Sequence, residues 1–239
     1  MQSRYVAKDA EKYVAEARAK DPRVTETLAL RTYTARLLGA DASLVLHGGG
    51  NTSVKDRAPA PPGFGEGDVD VIHVKGSGWD LATIEPPGHP AVRMAPLLAL
   101  RSLGSMTDEA MVNALRLALT DASAPTPSVE TLLHAWLPAK YIDHTHADAI
   151  LALADQPKGE EICRAIWGDG LVWVPYVMPG FSLAVRCAEA YERAVTQGRA
   201  PAVIVLERHG VFTFGQTAEE SYERMIAAVS RAQAEIQDR

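Results

Sequence analysis

The segment Tyr141-Ile142-Asp143-His144-Thr145-His146 sets two histidines two residues apart. In a strand, side chains at i and i+2 share a face, so His144 and His146 can reach one ion together. A third histidine, His209, follows the apolar run Ala202-Val203-Ile204-Val205-Leu206, which reads as a buried strand and can deliver it from a neighbouring strand end. Three imidazole nitrogens leave one coordination position of a zinc ion open, as in catalytic zinc; structural zinc has all four filled. Taken alone, a His-x-His pair is as readily two ordinary histidines on a half-exposed strand. The remaining motifs decide between the two.

Two glycine-rich turns suit an anion. In His47-Gly48-Gly49-Gly50-Asn51-Thr52-Ser53, consecutive glycines let backbone N–H groups converge with no Cβ in the way, and Asn51 with Thr52 or Ser53 adds side-chain donors. A plain hairpin turn is the competing local reading, and no Walker or dinucleotide pattern is present. Lys75-Gly76-Ser77-Gly78 follows the next strand in the same manner, with Lys75 open to reading as simply solvated. Next, Pro125-Thr126-Pro127-Ser128-Val129-Glu130 leads into an apolar helix. Ser128 is a good N-cap, and a helix start offers free N–H groups to a phosphate. Glu130 falls in the first turn, where a carboxylate is favourable against the helix dipole even with no chemical role. His134, four residues on, faces the same side and reads as a packed or supporting residue, not a fourth ligand.

The elements that must position these residues follow from periodicity and punctuation. Helices are expected over 9–20 and 25–38, with Gly39 as the stop, and strands near 43–47 and 51–55. Residues 57–67 hold a cluster of prolines and glycines and read as a surface hairpin loop, because a strand pattern resumes at Asp70-Val71-Ile72-His73-Val74. Further helices are expected at 94–103, 108–120, 129–139, 147–154, 159–167 and 183–197, with strands at 171–174, 202–208 and 211–214. Thr217 with Glu220 forms a capping box for a last helix running to about Gln237. Strands mixed irregularly with helices, some paired through very short connections, imply an α/β sandwich on a mainly antiparallel sheet rather than a doubly wound parallel one.

Composition narrows the function classes. The 239 residues, 47% hydrophobic, can bury a full core as a single domain spanning 1–239. A net charge of −6 without a Lys/Arg cluster argues against nucleic acid and anionic membranes as partners. No stretch approaches the ~20 apolar residues of a membrane span. Cys163 and Cys187 both lie in predicted helices and read as reduced and buried. A cytoplasmic protein is expected.

Together these pieces resemble the class II aldolase/adducin family. Gly50-Asn51-Thr52-Ser53 is similar to its Gly-Asn-x-Ser phosphate turn, Gly76-Ser77-Gly78 to its second phosphate loop, Ser128-Val129-Glu130 to its Ser-x-Glu, and His144-x-His146 with His209-Gly210 to its three zinc ligands. The motifs occur in the family's order over roughly 25–230. The strings LHGGGNTSV, VKGSGWDLATIEP, PSVETLLHA, DHTHADA and WVPYVMPG resemble the aldolase part of bacterial bifunctional rhamnulose-1-phosphate aldolase/dehydrogenase proteins; at 239 residues no dehydrogenase half is expected.

The resemblance implies a three-layer α-β-α sandwich, and zinc (or Mn²⁺ or Co²⁺) on His144, His146 and His209. It also implies a small phosphorylated sugar held by Gly50, Asn51, Ser77, Gly78 and Ser128, Glu130 as acid/base, and a homotetramer. The implied reaction is reversible cleavage of a ketose 1-phosphate, rhamnulose- or fuculose-1-phosphate-like, to dihydroxyacetone phosphate and an aldehyde. Relatives use a tyrosine from a neighbouring subunit to protonate the leaving alkoxide. The spacing here differs, and Tyr176 is a candidate that can equally be a packed residue. Dehydration, epimerisation or decarboxylation of a phosphorylated sugar or sugar acid, and a non-catalytic adducin-like module, are the other readings.

Overall fold

The computed structural model describes residues 1–64 and 66–238. Helices α1 (Ala7–Lys20) and α2 (Glu26–Gly39) precede the hairpin of β1 (Asn51–Pro59) and β2 (Asp68–Val74), whose connection is the expected surface loop; its Gly65 lies outside the described residues. Next come β3 (Ala91–Arg93), α3 (Met94–Ala99), α4 (Asp108–Leu117), α5 (Thr131–Trp136), β4 (Tyr141–Thr145), α6 (Asp148–Ala154) and α7 (Gly159–Trp167). The chain closes with β5 (Leu171–Val174), α8 (Phe181–Thr196), β6 (Val203–Leu206), β7 (Gly210–Gly215) and α9 (Ala218–Asp238).

The strands form one seven-stranded sheet in the order β3-β2-β1-β4-β7-β6-β5. All pairings are antiparallel except β5 with β6. That exception has a topological cause: α8 carries the chain back between them, and a helical crossover returns it in the same direction. Helices cover both faces. On β6, Ile204 and Leu206 join the core formed with α3, α4, α5 and α8, whereas Val203 and Val205 join the core formed with α2, α6, α7 and α9. Alternate side chains therefore serve opposite layers, which is why this strand reads as an unbroken apolar run. The expected α-β-α sandwich with a mainly antiparallel sheet is the fold observed.

Under the centre of the sheet, Arg31 of α2 stands 2.6 Å from Asp143 of β4, both fully buried, and Ser221 of α9 donates to Asp143 at 2.6 Å. Removing one partner of such a pair leaves a buried charge uncompensated. Through Asp143, β4 is tied to two helices of one layer, one residue before His144.

Two expected elements differ. Residues 43–47 are turns, not a strand. Asp41 is the reason: its carboxylate accepts from Ser43 N and Oγ, and its carbonyl accepts from Leu44 N and Val45 N, which winds the segment up. The helix expected over 129–139 covers only Thr131–Trp136. At its start Ser128 Oγ accepts from Glu130 N and Ser128 O from Thr131 N, so Ser128 forms a turn ahead of the helix and Glu130 is the N-cap. At its end Pro138 holds Leu137 extended, at ψ 139°. The last helix begins as expected, with Thr217 Oγ1 accepting from Glu220 N at 3.0 Å.

Candidate metal centre and active site

β4 and β7 lie side by side at the centre of the sheet, and their ends bring the three histidines together. One ring nitrogen from each of His144, His146 and His209 lies within 4.8 Å of the others. His144 is fully buried and stacked on Phe212 of β7, with ring centroids 4.1 Å apart. Its Nδ1 lies 3.1 Å from Val211 O and must donate there, since a carbonyl only accepts. Nε2 is thereby left with its lone pair. It faces His146 Nε2 at 3.1 Å, close to the ~3.3 Å separating two nitrogens on one tetrahedral zinc. His146 sits one residue past β4 and is held by its N–H on Leu44 O. His209 occupies the turn between β6 and β7, its N–H on Leu206 O.

Burial depresses all three imidazoles below the usual histidine range, His144 most strongly and His209 to about 4. They are neutral at physiological pH, the state a metal needs. Gly210 keeps the centre open: a Cβ there would lie 2.4 Å from Thr145 O and 2.9 Å from His144 Cε1. Neutral, converging nitrogens, one buried and two half-buried, with one tautomer fixed by the backbone form a donor set that fits a divalent ion.

Glu130 closes the group. Its Oε2 is 3.4 Å from His144 Nε2 and its Oε1 3.3 Å from His209 Nε2. Asn51, opposite His144 in the β1–β4 register, donates from Nδ2 to Glu130 Oε2 at 2.6 Å and to Ser128 Oγ at 3.2 Å. Burial pushes the Glu130 carboxyl up to about 7, against the Asn51 hydrogen bond and the Lys75 charge, which pull it down. The helix-start location alone implies a fully ionised acid; desolvation overrides it, and a nearby cation would restore the charge.

A cavity of about 380 Å³ opens from this centre, bordered by Glu130, His146 and His209 and by both glycine-rich turns. The second turn is joined to the Ser128 segment: Ser77 N donates to Thr126 O at 2.8 Å and Ser128 N to Lys75 O at 3.1 Å. Gly50, Asn51, Ser77, Gly78 and Ser128 all border the cavity. Gly50 needs its glycine, with φ +60° and a Cβ position 2.7 Å from His144 O. Of the donors expected beside Asn51, Thr52 instead contacts His89 Nε2 at 3.0 Å and Ser53 contacts His134 Nδ1 at 2.7 Å, so neither serves an anion.

Lys75 is not solvated. It is buried, and its Nζ donates to Gly48 O at 2.5 Å and Gly50 O at 3.0 Å, bracing the first turn from the second. Sequence reasoning missed this because the local pattern of a lysine beside glycines is that of an exposed turn. Tyr176 does not border the cavity; it is 46% exposed, with its hydroxyl 3.7 Å from Met178 Sδ. Cys163 and Cys187 are free and buried, as expected. Among the described residues no helix is long and apolar enough to cross a membrane.

Sheet, layers and centre define a class II aldolase-type fold with a tri-histidine cluster. The sequence model of the family described as "Class II Aldolase and Adducin N-terminal domain" matches residues 30–236, and the chain belongs to that family. It is 38% identical over 224 residues to a Bacillus subtilis (strain 168) protein named "Uncharacterized oxidoreductase YuxG", a match covering 94% of this chain and 31% of that protein. The chain thus spans about a third of the length of that relative. Among solved structures, the N-terminal class II aldolase domain of a conserved Thermoplasma acidophilum protein is 38% identical, with a TM-score of 0.83 and 99% of each chain covered. A sugar-phosphate aldolase from Thermotoga maritima shares the fold at 16% identity, with a TM-score of 0.65, covering 89% of this chain and 94% of that one. L-fuculose-1-phosphate aldolase from Thermus thermophilus shares it at 19% identity, with a TM-score of 0.55 and coverage of 92% and 94%.

Proposed function

We propose that the chain is a metal-dependent aldolase, zinc being the expected ion and Mn²⁺ or Co²⁺ the alternatives. It would cleave a ketose 1-phosphate of the rhamnulose or fuculose type reversibly to dihydroxyacetone phosphate and an aldehyde. The observation that carries this reading is the carboxylate of Glu130 set 3.3–3.4 Å from two of three converging imidazoles at a cavity framed by two glycine turns. An ion held by His144, His146 and His209 supplies Lewis-acid stabilisation of the negative charge that develops beside the substrate carbonyl. Glu130 takes the proton from the α-carbon in the synthetic direction and returns it on cleavage; an ion on the histidines would offset its desolvation and keep the carboxylate ionised to accept that proton. Ser128 and Ser77 hydroxyls and the backbone at Gly50 and Gly78 hold the phosphate, with the Asn51 amide contributing through Ser128, whose Oγ it donates to and so leaves the hydroxyl hydrogen free for the anion; this orients the reacting carbon through binding energy remote from it.

Tyr176 is exposed and outside this chain's cavity, so its role as proton donor to the leaving alkoxide goes with a homo-oligomer, a tetramer in the cytoplasm, in which it reaches a neighbour's site. A non-catalytic module has no use for an open metal centre beside a buried acid.

The test is a metal assay followed by product analysis on a panel of ketose 1-phosphates. About one divalent ion per chain and release of dihydroxyacetone phosphate are expected. Retained carbon skeletons, with dehydrated or epimerised products, would refute carbon–carbon cleavage; a metal-free, inert protein would refute the enzyme.

A further inference from the structure

Behind Glu130 runs a chain of buried polar groups, Ser53, His134, Asn51 and then Glu130 itself. Its donor directions are forced. Asn51 Oδ1 can only accept, so the nitrogen facing it, His134 Nε2, carries hydrogen. Burial keeps the ring neutral, pushing its pKa down to about 3, so Nδ1 has a lone pair. Ser53 Oγ, 2.7 Å away, therefore donates to Nδ1. With its carbonyl held by the imidazole, the Asn51 amide cannot flip, and its NH₂ is committed to Glu130 Oε2 and Ser128 Oγ. The flipped amide would set an oxygen against the carboxylate. The other carboxylate oxygen, Oε1, has no hydrogen-bond partner and faces His209 Nε2 at 3.3 Å.

We propose that His134 is a positioning residue which, through Asn51, holds Glu130 by Oε2 and so selects Oε1 as the oxygen that takes up and returns the substrate α-proton. The choice of Oε1 rests on the proposed acid/base role of Glu130; the hydrogen-bond chain does not. The proton passes from carbon to Oε1 and back, leaving its bonding pair on the carbon fragment in one direction and rejoining it in the other. A carboxylate free to turn about its own axis would present either oxygen, and productive geometry tolerates little of that.

Two variants of similar polarity separate positioning from bulk packing. His134→Gln extends an amide to the place of Nε2 and can still donate to Asn51. His134→Asn ends at the place of Nδ1 and keeps only Ser53. In metal-free wild-type protein with ¹⁵N-labelled histidine, long-range ¹H–¹⁵N correlation should show His134 as the Nε2–H tautomer, and the Asn51 side-chain NH₂ protons should exchange slowly. His134→Asn should speed that exchange at least tenfold, and His134→Gln should restore much of it. In the zinc-loaded proteins, solvent exchange of the dihydroxyacetone phosphate α-proton should show kcat lowered about 10-fold or more by Asn and partly rescued by Gln, with KM and zinc content unchanged. An Nδ1–H tautomer, or equal amide exchange in the two variants, overturns the positioning role whatever reaction the protein performs. If the amide results hold but wild-type protein exchanges no α-proton, the fault lies in the proposed reaction, and the choice of Oε1 falls with it.

Discussion

Replacing Glu130 by Gln should stabilise the metal-free protein above neutral pH, the opposite of what a first-turn helix acid implies. Losing an exposed acid at a helix start would destabilise by ~0.3–1 kcal/mol. Glu130 is buried, and burial lifts its carboxyl from 4.5 to about 7. At 1.36 kcal/mol per pKa unit, the folded state bears on the order of 3 kcal/mol for holding this group ionised. The sign follows from proton binding. Below the unfolded value both states are protonated and nothing is lost; between 4.5 and 7 the folded state binds more protons and stability falls as pH rises; above 7 the penalty is complete. Gln is neutral throughout, and its amide oxygen can still accept from Asn51 Nδ2, which bonds Glu130 Oε2 at 2.6 Å. Urea denaturation with a chelator present should therefore find the variant equal to wild type near pH 4 and more stable by up to ~3 kcal/mol at pH 8. With zinc loaded, the same variant should lose α-proton exchange of dihydroxyacetone phosphate by ~10²-fold or more, a barrier rise of ~2.7 kcal/mol. A Glu130→Gln protein no more stable than wild type at pH 8 would refute the burial argument, and one exchanging at near wild-type rate would refute the acid/base role.

Substituting His144, His146 or His209 by Ala should lower metal content and turnover together, read by elemental analysis beside the exchange assay; full metal content in all three would remove the cluster from consideration. Gly210→Ala should weaken metal binding with every ligand in place, because its Cβ would press on Thr145 O and His144 Cε1; competition against a chromogenic chelator measures this. Inorganic phosphate or sulfate should compete with the phosphorylated substrate, and Ser128→Ala should weaken the competition severalfold; non-phosphorylated ketoses cleaved equally well would exclude the assigned anion site. Acid should unfold the metal-free protein early. His134 titrates at about 3 folded against 6.5 free, so the unfolded state binds the extra proton and stability falls as pH drops below 6.5, by on the order of 5 kcal/mol near pH 3. Urea midpoints between pH 7 and 4 read this loss, and a flat profile would contradict the buried neutral ring.

Most of the element order, the strand-end placement of His144, His146 and His209 and the two glycine turns were legible in the amino-acid sequence because each rests on a short-range rule. His144 and His146 share a face through the two-residue period of β4, the unbroken apolar run of β6 marks a strand covered on both sides, and Thr217 with Glu220 starts α9 by local hydrogen bonding. Residues 43–47 and the ends of α5 were misread where a side chain or a proline competes with the hydrophobic pattern, through Asp41 in one place and Ser128 and Pro138 in the other.

Tertiary structure alone decided the electrostatics. Lys75 reads as an exposed turn lysine until the fold buries it against the carbonyls of Gly48 and Gly50. Glu130 reads as an ionised helix-start acid until desolvation raises it to about 7. The side chains of Thr52 and Ser53, adjacent in sequence, part to opposite faces of β1, toward His89 and His134. Hydrogen-bond partners and desolvation depend on what the packed chain brings from 25 to 83 residues away, and no local pattern encodes that distance.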